Sequence, residues 1–412
     1  MQRNKLILFV LASILISANS YAISLTTTYD SSNAVKDTKT VTFDSSIQSS
    51  KLIDAMGFGW NLGNSLDAHI SGSNEGLDSE TSWGNPKTSE SMINALVSKG
   101  FKTIRIPVTW HNHLTDQKYT IDPDWMNRVK TVVDMCINKG LFVILNIHHD
   151  QADYGISYGK GYYPKNDQKT ESEKFLLNVW SQIALAFNNG YDHHLIFEAL
   201  NEPRLKGNTY EWWYQEGESN SEECVSVINE YNQLIHYVIR QSGGNNKSRF
   251  LLFTSGAAAY SYVTSSGFTL PDDTAYNPKH KRILVSVHLY TPYDFALNSD
   301  MSINYFSTDY QNELESVFQT LRTQFVKKGY YVVVTEMGAC DKLNTDQRVA
   351  WGKYFVERTR KLGMACVVWD NNAWNTNWDA NEKFGLLHRS QLTWEPETLV
   401  NAFITASKTA LG

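Results

Sequence analysis

Two alternating hydrophobic patterns constrain the fold of this chain more than any other feature of its sequence. From Lys51 onward, short apolar runs rich in Val and Ile alternate with longer stretches of helical periodicity, which is typical of βαβ units around a parallel sheet. Eight of the short runs are predicted to be strands: Gly57–Leu62, Thr103–Val108, Phe142–Ile147, His194–Leu200, Arg249–Thr254, Ile283–His288, Tyr331–Thr335 and Ala365–Trp369.

Amphipathic helices are predicted between most of these strands. They cover Ser89–Lys99, Asp124–Lys139, Glu171–Asn188, Cys224–Gln241, Tyr310–Lys328, Thr345–Leu362 and Glu395–Thr409. A glycine stands just past most of the helix ends, where a left-handed C-cap favours this residue. The six glycines are Gly100, Gly140, Gly190, Gly243, Gly329 and Gly363. The link 255–282 lacks a clear long helix and is predicted to be irregular.

The number of repeats favours a closed barrel over an open sheet. Eight alternating units are the pattern of a (β/α)8 TIM barrel, which commonly exceeds about 250 residues, so one α/β barrel accommodates most of this 412-residue chain. An open, doubly wound sheet is the alternative, but no G-x-G-x-x-G follows the first predicted strand and no Walker motif is present. We therefore predict a single (β/α)8 domain over residues 51–412.

The segment before Lys51 is predicted to lie outside this domain. A basic start at Met1–Lys5, an apolar stretch at Leu6–Ile16 and a small-residue ending predict a secretory signal peptide over residues 1–22. A membrane anchor is the alternative, but the stretch is too short to span a bilayer comfortably. Residues 23–50 are rich in Ser, Thr and Asp and predict a flexible or loosely docked leader. After signal cleavage the protein is expected to be extracellular, with no membrane association.

Composition excludes one class of partner and favours another. The net charge is −6 and no long run of Lys or Arg occurs, so the basic surface of a nucleic-acid binder is missing. The aromatic share is 13%, and flat amphipathic rings suit the faces of sugars. The four cysteines are scattered, which indicates neither a zinc cluster nor a disulfide framework. The spacing is still compatible with a single disulfide bond. The sequon at Asn246 could carry a glycan only in a eukaryotic host.

Polar residues gather at the carboxyl ends of the predicted strands, where a (β/α)8 barrel carries its active site. A charged side chain there costs free energy unless it is paired or used. Glu202 and Glu336 follow the fourth and seventh strands, nearly opposite each other. Glycoside cleavage needs two such carboxyl groups, whereas either one alone could simply be paired with Arg105. The residues at these ends are Asn61, Asn64, Arg105, His148, His149, Asn201, Glu202, His288, Tyr290, Glu336 and Trp369.

The motifs around the two glutamates carry a family resemblance. Leu200-Asn-Glu-Pro203 after a fourth strand, with Thr335-Glu-Met-Gly338 after a seventh, resembles glycoside hydrolase family 5 of clan A. The match extends over almost the whole chain from Lys51 and is closest to the endo-β-1,4-glucanase (cellulase) branch, some of whose members also cut xyloglucan or mixed-linkage glucan. The resemblance implies endo-acting cleavage of a β-glucan polysaccharide by double displacement. Further matching motifs are 57–64, 103–110, 146–149, 287–290 and 368–369.

The resemblance implies a role for each matching residue. Glu202 falls on the family's acid/base and Glu336 on its nucleophile. Arg105 matches the arginine beneath the nucleophile, where a fixed positive charge would keep Glu336 ionised. Asn201 corresponds to the residue that hydrogen-bonds the sugar 2-hydroxyl, and His148 matches a site histidine. We expect Glu202 to stay protonated until substrate arrives, because a poorly hydrated setting would raise its pKa.

The remaining candidates support catalysis or bind substrate. His288 and Tyr290 lie two apart on a strand and share a face, which would put the Tyr hydroxyl near Glu336 and the imidazole near Glu202. Trp369 matches the platform under the sugar at the cleavage point. An ordinary packing role is the alternative for each tryptophan. The weaker substrate-binding candidates are Asn61, His149, Trp83 and Trp378.

Other functions remain open at this stage. A metal-dependent barrel hydrolase is suggested by His148-His149-Asp150 with His288, but neighbouring residues of a continuing strand point to opposite faces. A non-catalytic carbohydrate-binding barrel is disfavoured because both glutamates and Arg105 are present. Among active forms, xyloglucanase, mixed-linkage glucanase and mannanase are the alternatives. We expect a monomer with no cofactor and no metal.

Overall fold

The computed structural model describes residues 34–375 and 380–412, and its central feature is a closed barrel of eight parallel strands in sequence order. This confirms the predicted (β/α)8 architecture. The predicted signal peptide and Trp378 lie outside the described residues. The strands are β1 Phe58–Asn61, β2 Thr103–Ile106, β3 Phe142–Asn146, β4 Leu195–Glu198, β5 Leu251–Phe253, β6 Ile283–Leu289, β7 Val332–Met337 and β8 Met364–Val368.

Helices surround the barrel and one closes its lower end. The helices are α1 Ser49–Met56, α2 Glu90–Lys99, α3 Pro123–Ile137, α4 Lys169–Ala186, α5 Ser219–Gln241, α6 Tyr260–Val263, α7 Tyr293–Ala296, α8 Thr308–Gln324, α9 Thr345–Lys361 and α10 Glu397–Ala406. The predicted irregular link contains one turn of 3-10 helix, Gly256–Ala258, and the four-residue α6. A two-stranded antiparallel sheet, β9 Leu387–His388 with β10 Thr393–Trp394, was not predicted, because two residues are too few to show a strand period.

The first helix, α1, was also missing from the sequence prediction. Its apolar residues Leu52, Ile53 and Met56 join the cluster inside the barrel, which includes Ile144 and Leu284. The opposite faces of the strands pack against the surrounding helices in a second, larger cluster. With α1 filling the amino-terminal end of the barrel, the carboxyl-terminal end is left for polar side chains.

Part of the predicted leader is docked on the barrel wall. The Asp37 backbone N–H donates to the Leu185 carbonyl at 3.0 Å, and the Asp37 carboxylate accepts from the Asn188 N–H at 3.1 Å and from the Gly190 N–H. Five of the six glycines predicted to be left-handed have positive φ, but Gly190 does not. A Cβ at Gly190 would meet the Asp37 carboxylate at 2.6 Å. Gly190 is therefore required for close approach of the leader, not for a helix cap.

The structure also bears on the cysteines, the sequon and the membrane. All four cysteines are free and buried. Asn246 is fully buried, and its amide nitrogen donates to the Ala184 carbonyl at 2.8 Å and the Ser242 hydroxyl at 2.9 Å. The folded sequon thus has no room for a glycan. Within residues 34–375 and 380–412, no helix combines the length and the apolar character needed to cross a bilayer.

Candidate active site

A fully buried arginine forms the floor of the site at the carboxyl-terminal end of the barrel. Arg105, on β2, donates from Nε to Glu198 at 2.7 Å and from Nη2 to Asn201 Oδ1 at 2.7 Å. Its Nη1 donates to Asn61 Oδ1 at 2.9 Å and to Glu336 Oε1 at 2.7 Å. Burial opposes the charge, but the two carboxylates outweigh burial and raise the pKa of Arg105. The site therefore holds a permanent cation whose donors are all aimed at site residues.

Glu198 was not among the predicted site residues, although it lies at the centre of this floor. It ends β4 and is fully buried. Besides Arg105, its carboxylate accepts from Asn146 Nδ2 at 2.9 Å and from the Ser286 hydroxyl at 2.7 Å. A signal was present in the sequence, since an acid inside the apolar run 195–200 cannot stay buried without a partner.

The two predicted catalytic glutamates meet at one imidazole. His288 Nδ1 lies 2.8 Å from Glu202 Oε1 and 3.6 Å from Glu336 Oε2. One carboxylate oxygen of each glutamate and one nitrogen of His288 all lie within 4.8 Å of one another. Glu202 follows β4 and Glu336 lies on β7, so strands on opposite sides of the barrel supply the pair. The mouth is thus narrow enough for both carboxyl groups to reach one bond.

An irregularity in β7 aims Glu336 into the mouth. The pairing of β6 with β7 shifts between Val287 and His288, so that His288 pairs with Glu336 and Thr335 is passed over. A bulge of this kind breaks the alternation of side chains along a strand. As a result, Thr335 contacts Ser286 at 2.6 Å inside the barrel while its neighbour Glu336 also points inward.

The pKa expected for Glu202 is corrected by its contact with His288. Burial alone would raise the pKa of Glu202, as the sequence led us to expect, but the hydrogen bond and charge of His288 outweigh burial and lower it. Burial likewise opposes protonation of His288, yet the charge of Glu336 and the bond to Glu202 raise the pKa of His288. In the free protein, the proton of this pair therefore resides on the imidazole.

Tyr290 holds the second oxygen of Glu336. Its hydroxyl donates to Glu336 Oε2 at 2.7 Å, and its ring packs at 5.3 Å from Phe384. Burial, followed by the negative charge of Glu336, raises the pKa of Tyr290 well above its ordinary value. The phenol is therefore a permanent donor, and both oxygens of Glu336 have fixed partners.

His148, after β3, and Trp369, after β8, bring their rings together at the carboxyl-terminal end of the barrel. Their rings are nearly parallel, with an interplanar angle of 5° and centroids 5.9 Å apart. His148 Nε2 lies 3.4 Å from Asn201 Nδ2. Burial, with the nearby charges of His149 and Arg105, lowers the pKa of His148 well below its ordinary value, so this imidazole is neutral. Trp369 stands against Gly63, where an added Cβ would lie 2.8 Å from the ring.

The remaining predicted residues are divided between the floor and a side cavity. Asn61 is fully buried and donates to the Thr335 and Val368 carbonyls at 2.9 and 3.2 Å, so its polar atoms are used within the protein and none is left for a substrate. Trp83 and His149 have ring centroids 5.5 Å apart. His149 lines a cavity of about 610 Å³ bounded by the loops that follow β1 to β4. His149 can therefore face a ligand, and Trp83 lies beside it.

His148 and His149 lie on the same side of the site, contrary to the alternation expected for neighbouring residues of a strand. β3 ends at Asn146, so alternation does not apply to the next residues, and His148 and His149 both approach Asp67. The distances from His148 Nε2 and His149 Nε2 to Asp67 Oδ2 are 3.9 and 3.6 Å. These three residues, like Glu202, His288 and Glu336, have the side-chain atoms that a metal ion would require.

Comparisons with known proteins identify the family of this chain. The family model for cellulase (glycosyl hydrolase family 5) matches residues 67–375. Endoglucanase A of Clostridium longisporum is 40% identical over 368 residues, which cover 87% of this chain and 66% of that protein. The chain thus spans slightly less than two thirds of this relative's length.

Two solved structures are similar over most of the chain. A family 5 lichenase from Caldicellulosiruptor sp. F32, a mutant in complex with cellotetraose, has a TM-score of 0.80 and 37% identity, covering 91% of this chain and 98% of that one. A broad-specificity endoglucanase from Ruminococcus champanellensis with bound cellotriose has a TM-score of 0.79 and 38% identity, covering 88% and 100%. The family match, the relatives and the barrel together show that this chain is a glycoside hydrolase and belongs to glycosyl hydrolase family 5.

Proposed function

We propose that this enzyme is an endo-acting β-1,4-glucanase that hydrolyses its substrate with retention of anomeric configuration. The close approach of the carboxylate oxygens of Glu202 and Glu336, within 4.8 Å of each other, carries the proposal. Retaining glycosidases hold their two carboxyl groups about 5–5.5 Å apart, whereas inverting enzymes need about 6.5–9.5 Å to admit a water molecule. The distance between Glu202 and Glu336 is too short to admit that water molecule, so one of the two carboxylates attacks the sugar directly.

In the first step, Glu336 attacks the anomeric carbon and Glu202 protonates the glycosidic oxygen. The bond from that carbon to the leaving oxygen breaks, and an ester between Glu336 and the sugar forms. Arg105 and Tyr290 support this step because they hold Glu336 as an oriented anion through its two oxygens. Asn201 is fixed by Arg105 through its Oδ1. Its amide nitrogen contacts His148 and carries a second hydrogen that can be donated to the sugar 2-hydroxyl.

In the second step, water takes the place of the leaving group, and Glu202 changes from an acid into a base. The Glu202 carboxylate takes a proton from water while the water oxygen attacks the anomeric carbon from the face opposite Glu336. The ester bond breaks and the Glu336 carboxylate is restored. Two inversions at one carbon give a β-product from a β-linked chain.

His288 supplies the proton for the first step through its hydrogen bond to Glu202. In the free protein the proton resides on His288, 2.8 Å from Glu202 Oε1. Substrate in the mouth removes water from the pair, and desolvation favours the neutral acid and neutral imidazole over two separated charges. The proton then moves along the existing hydrogen bond to Glu202, from which it passes to the leaving oxygen.

The binding groups fit a glucan chain. Trp369 offers a flat ring beside His148 at the cleavage point, and Trp83, 39% exposed, offers a second ring next to His149. Sugars stack on such surfaces through their apolar faces. The cellotetraose and cellotriose complexes of the two similar structures favour a β-1,4-linked glucan here also.

Mixed-linkage glucan and xyloglucan are the second candidates. A cavity of about 610 Å³ lies beside His149 and is lined by Tyr154, Tyr158 and Arg204. One of the similar structures is a lichenase and another has broad specificity. A side cavity of this kind can accept a bent chain or a branch.

We also propose that the enzyme acts as a secreted monomer. The basic, apolar and small-residue order of residues 1–22 supports export. Polymeric glucan cannot enter cells, so an exported enzyme suits the proposed substrate.

Three measurements test the proposed function. NMR of the earliest products should show β-anomers, and α-anomers would exclude retention. A panel of carboxymethyl-cellulose, mixed-linkage glucan, xyloglucan and mannan, with product lengths resolved, should show internal cleavage of the β-1,4-glucans and rank them. Activity should survive exhaustive chelation; a loss restored by added metal would instead support a metal-dependent hydrolase built on His148, His149 and Asp67.

A further inference from the structure

We propose that Glu198 is a positioning residue that limits how strongly Arg105 acts on Glu336 and thereby keeps the nucleophile reactive. The inference rests on the proposed function, in which Glu336 is the nucleophile. Arg105 binds Glu198 through Nε and Glu336 through Nη1, each at 2.7 Å. One cation is thus shared between a carboxylate that faces the cleft and one that faces the barrel interior.

A second buried carboxylate needs an explanation because it is costly. Glu198 and Arg105 are both fully buried, and an ion taken out of water loses several kcal/mol unless its partners compensate. With Arg105 counted as +1 and each glutamate as −1, the group carries a net charge of −1. Glu336 alone would already neutralise Arg105. The additional charge therefore reduces the hold of Arg105 on Glu336.

Glu198 also orients the other side of the site. Asn146 Nδ2 lies 2.9 Å from the Glu198 carboxylate and 3.2 Å from His148 Nδ1. His148 in turn contacts Asn201, whose Oδ1 is held by Arg105. Glu198 is thus connected to the site by two routes, one through Arg105 and one through Asn146.

A glutamine at position 198 can replace the carboxylate without leaving a buried polar atom unpaired. Its carbonyl would accept from Arg105 and Asn146, as the Oε2 oxygen does now. Its amide would donate to the Ser286 hydroxyl, which can turn its own proton to Thr335 Oγ1, 2.6 Å away. The substitution Glu198→Gln therefore removes a charge while shape and hydrogen bonding are preserved.

The expected effect is on the pH profile and on kcat. The charged or titratable groups that face Glu336 are Arg105, Glu202, His288 and Tyr290. In E198Q the Arg105 charge acts on Glu336 undiminished, so the negative charge of Glu336 is held more tightly and the carboxylate is a weaker nucleophile. The acidic limb of kcat/KM should move to lower pH by about one unit, as expected for removal of a nearby charge at an effective dielectric near 20. We expect kcat to fall about 10- to 100-fold, with KM within about threefold.

Two further variants separate charge from folding. Glu80 is a matched control: it is fully buried and bound to Arg128 by two hydrogen bonds of 2.7 and 2.8 Å outside the catalytic group. Glu80→Gln should lower stability and leave the acidic limb in place. Ser286→Ala keeps the Glu198 charge and removes one of its other donors, so Glu198 binds Arg105 more strongly. The acidic limb should then move in the direction opposite to that in E198Q, and by less; this variant keeps the test available if E198Q does not fold.

The outcome distinguishes this inference from the proposed function. Wild-type enzyme is first labelled with 2,4-dinitrophenyl 2-deoxy-2-fluoro-β-cellobioside, and the labelled peptide is identified by mass spectrometry. A label on Glu336 together with the shifted limb in E198Q supports the role of Glu198. A label on Glu336 with the limb unmoved in both E198Q and S286A overturns that role alone. A label on another residue overturns the nucleophile assignment itself.

Discussion

Two arginines, both fully buried, occupy opposite ends of the barrel and have different kinds of partner. Arg105 lies on β2 at the mouth, and all of its hydrogen bonds go to side chains of the site. Arg249 lies just before β5, at the amino-terminal end. Its five donors reach the side chain of Asn246 and four backbone carbonyls, at distances of 2.6 to 3.0 Å. Those carbonyls belong to Asn188, Tyr191, Asp192 and Leu195.

The partners decide what each charge does. Burial lowers the pKa of Arg249 to about 9, because carbonyl dipoles only partly replace water around the cation. Carboxylates raise the pKa of Arg105 instead. Backbone carbonyls are fixed by the chain, so Arg249 holds the loop before β4 in one conformation. Carboxylates can change charge and form bonds, so Arg105 controls groups that can react.

The largest effect is expected when the negative charge that Arg105 binds at the cleft is removed. Glu336→Gln should lower kcat at least about 10⁴-fold, because a neutral amide cannot form the glycosyl ester. Arg249 and the fold should be unaffected, since Gln keeps the shape and an oxygen acceptor for Arg105. Turnover on carboxymethyl-cellulose, with circular dichroism as the folding control, measures the effect. Appreciable residual activity in Glu336→Gln would show that Glu336 is not the nucleophile.

A matched pair of variants tests the two arginines directly. Arg105→Gln should lower kcat about 10³-fold, because Glu336 and Asn201 lose their shared donor. Arg249→Gln should lower the free energy of unfolding by about 3 kcal/mol, because buried carbonyls lose their donors, while kcat of the folded fraction stays within about twofold. Urea unfolding and turnover on the same samples provide both numbers. An equal loss of kcat in Arg249→Gln and Arg105→Gln would contradict the assignment of Arg249 to the fold and of Arg105 to the active site.

Variants of Glu202, the proposed acid/base residue, should lose activity to an extent that depends on the leaving group. Glu202→Ala should lower kcat about 10²- to 10³-fold on glucan, since general acid catalysis contributes about that much. On an aryl cellobioside with a good leaving group, the first step needs no proton, and the loss should be smaller. Parallel assays on both substrates decide this, and equal losses would contradict the acid role.

The smallest expected effect concerns the proton shared by His288 and Glu202. The pKa of His288 is raised, so its proton is kept above pH 6.5, the ordinary value, and activity should fall only as pH rises through the raised pKa. His288→Gln removes the imidazole, and the basic limb then belongs to Glu202 alone, whose pKa is lower. The basic limb of kcat/KM should move to lower pH, with kcat at the optimum reduced about tenfold or less. If the basic limb did not move in His288→Gln, the titration behind that limb would belong to a group other than His288.

The strand repeat and the motifs at strand ends were enough to predict the barrel and to name both glutamates. Each feature has a local cause: apolar period, glycine after a helix, polar residue after a strand. The features that were missed depend on long-range contacts. The apolar run 195–200 indicates that Glu198 needs a partner, but it does not identify that partner as Arg105, 93 residues away. Asn61 was assigned to substrate, although its side chain binds Arg105 and two carbonyls instead. The shift in β7 that turns Glu336 inward leaves no mark on hydrophobic periodicity.

Local sequence patterns were enough to predict the (β/α)8 fold of this family 5 enzyme and to name Glu202 and Glu336 as the proposed carboxyl pair, because periodicity and residue type are properties of neighbouring positions. Only the tertiary structure decided the protonation of Glu202, the sharing of Arg105 between two carboxylates and the approach of His148 and His149 to Asp67. Those properties depend on distances of a few ångströms between residues far apart in the chain. Electrostatic interactions in a buried site change steeply over such distances, and no local pattern encodes them.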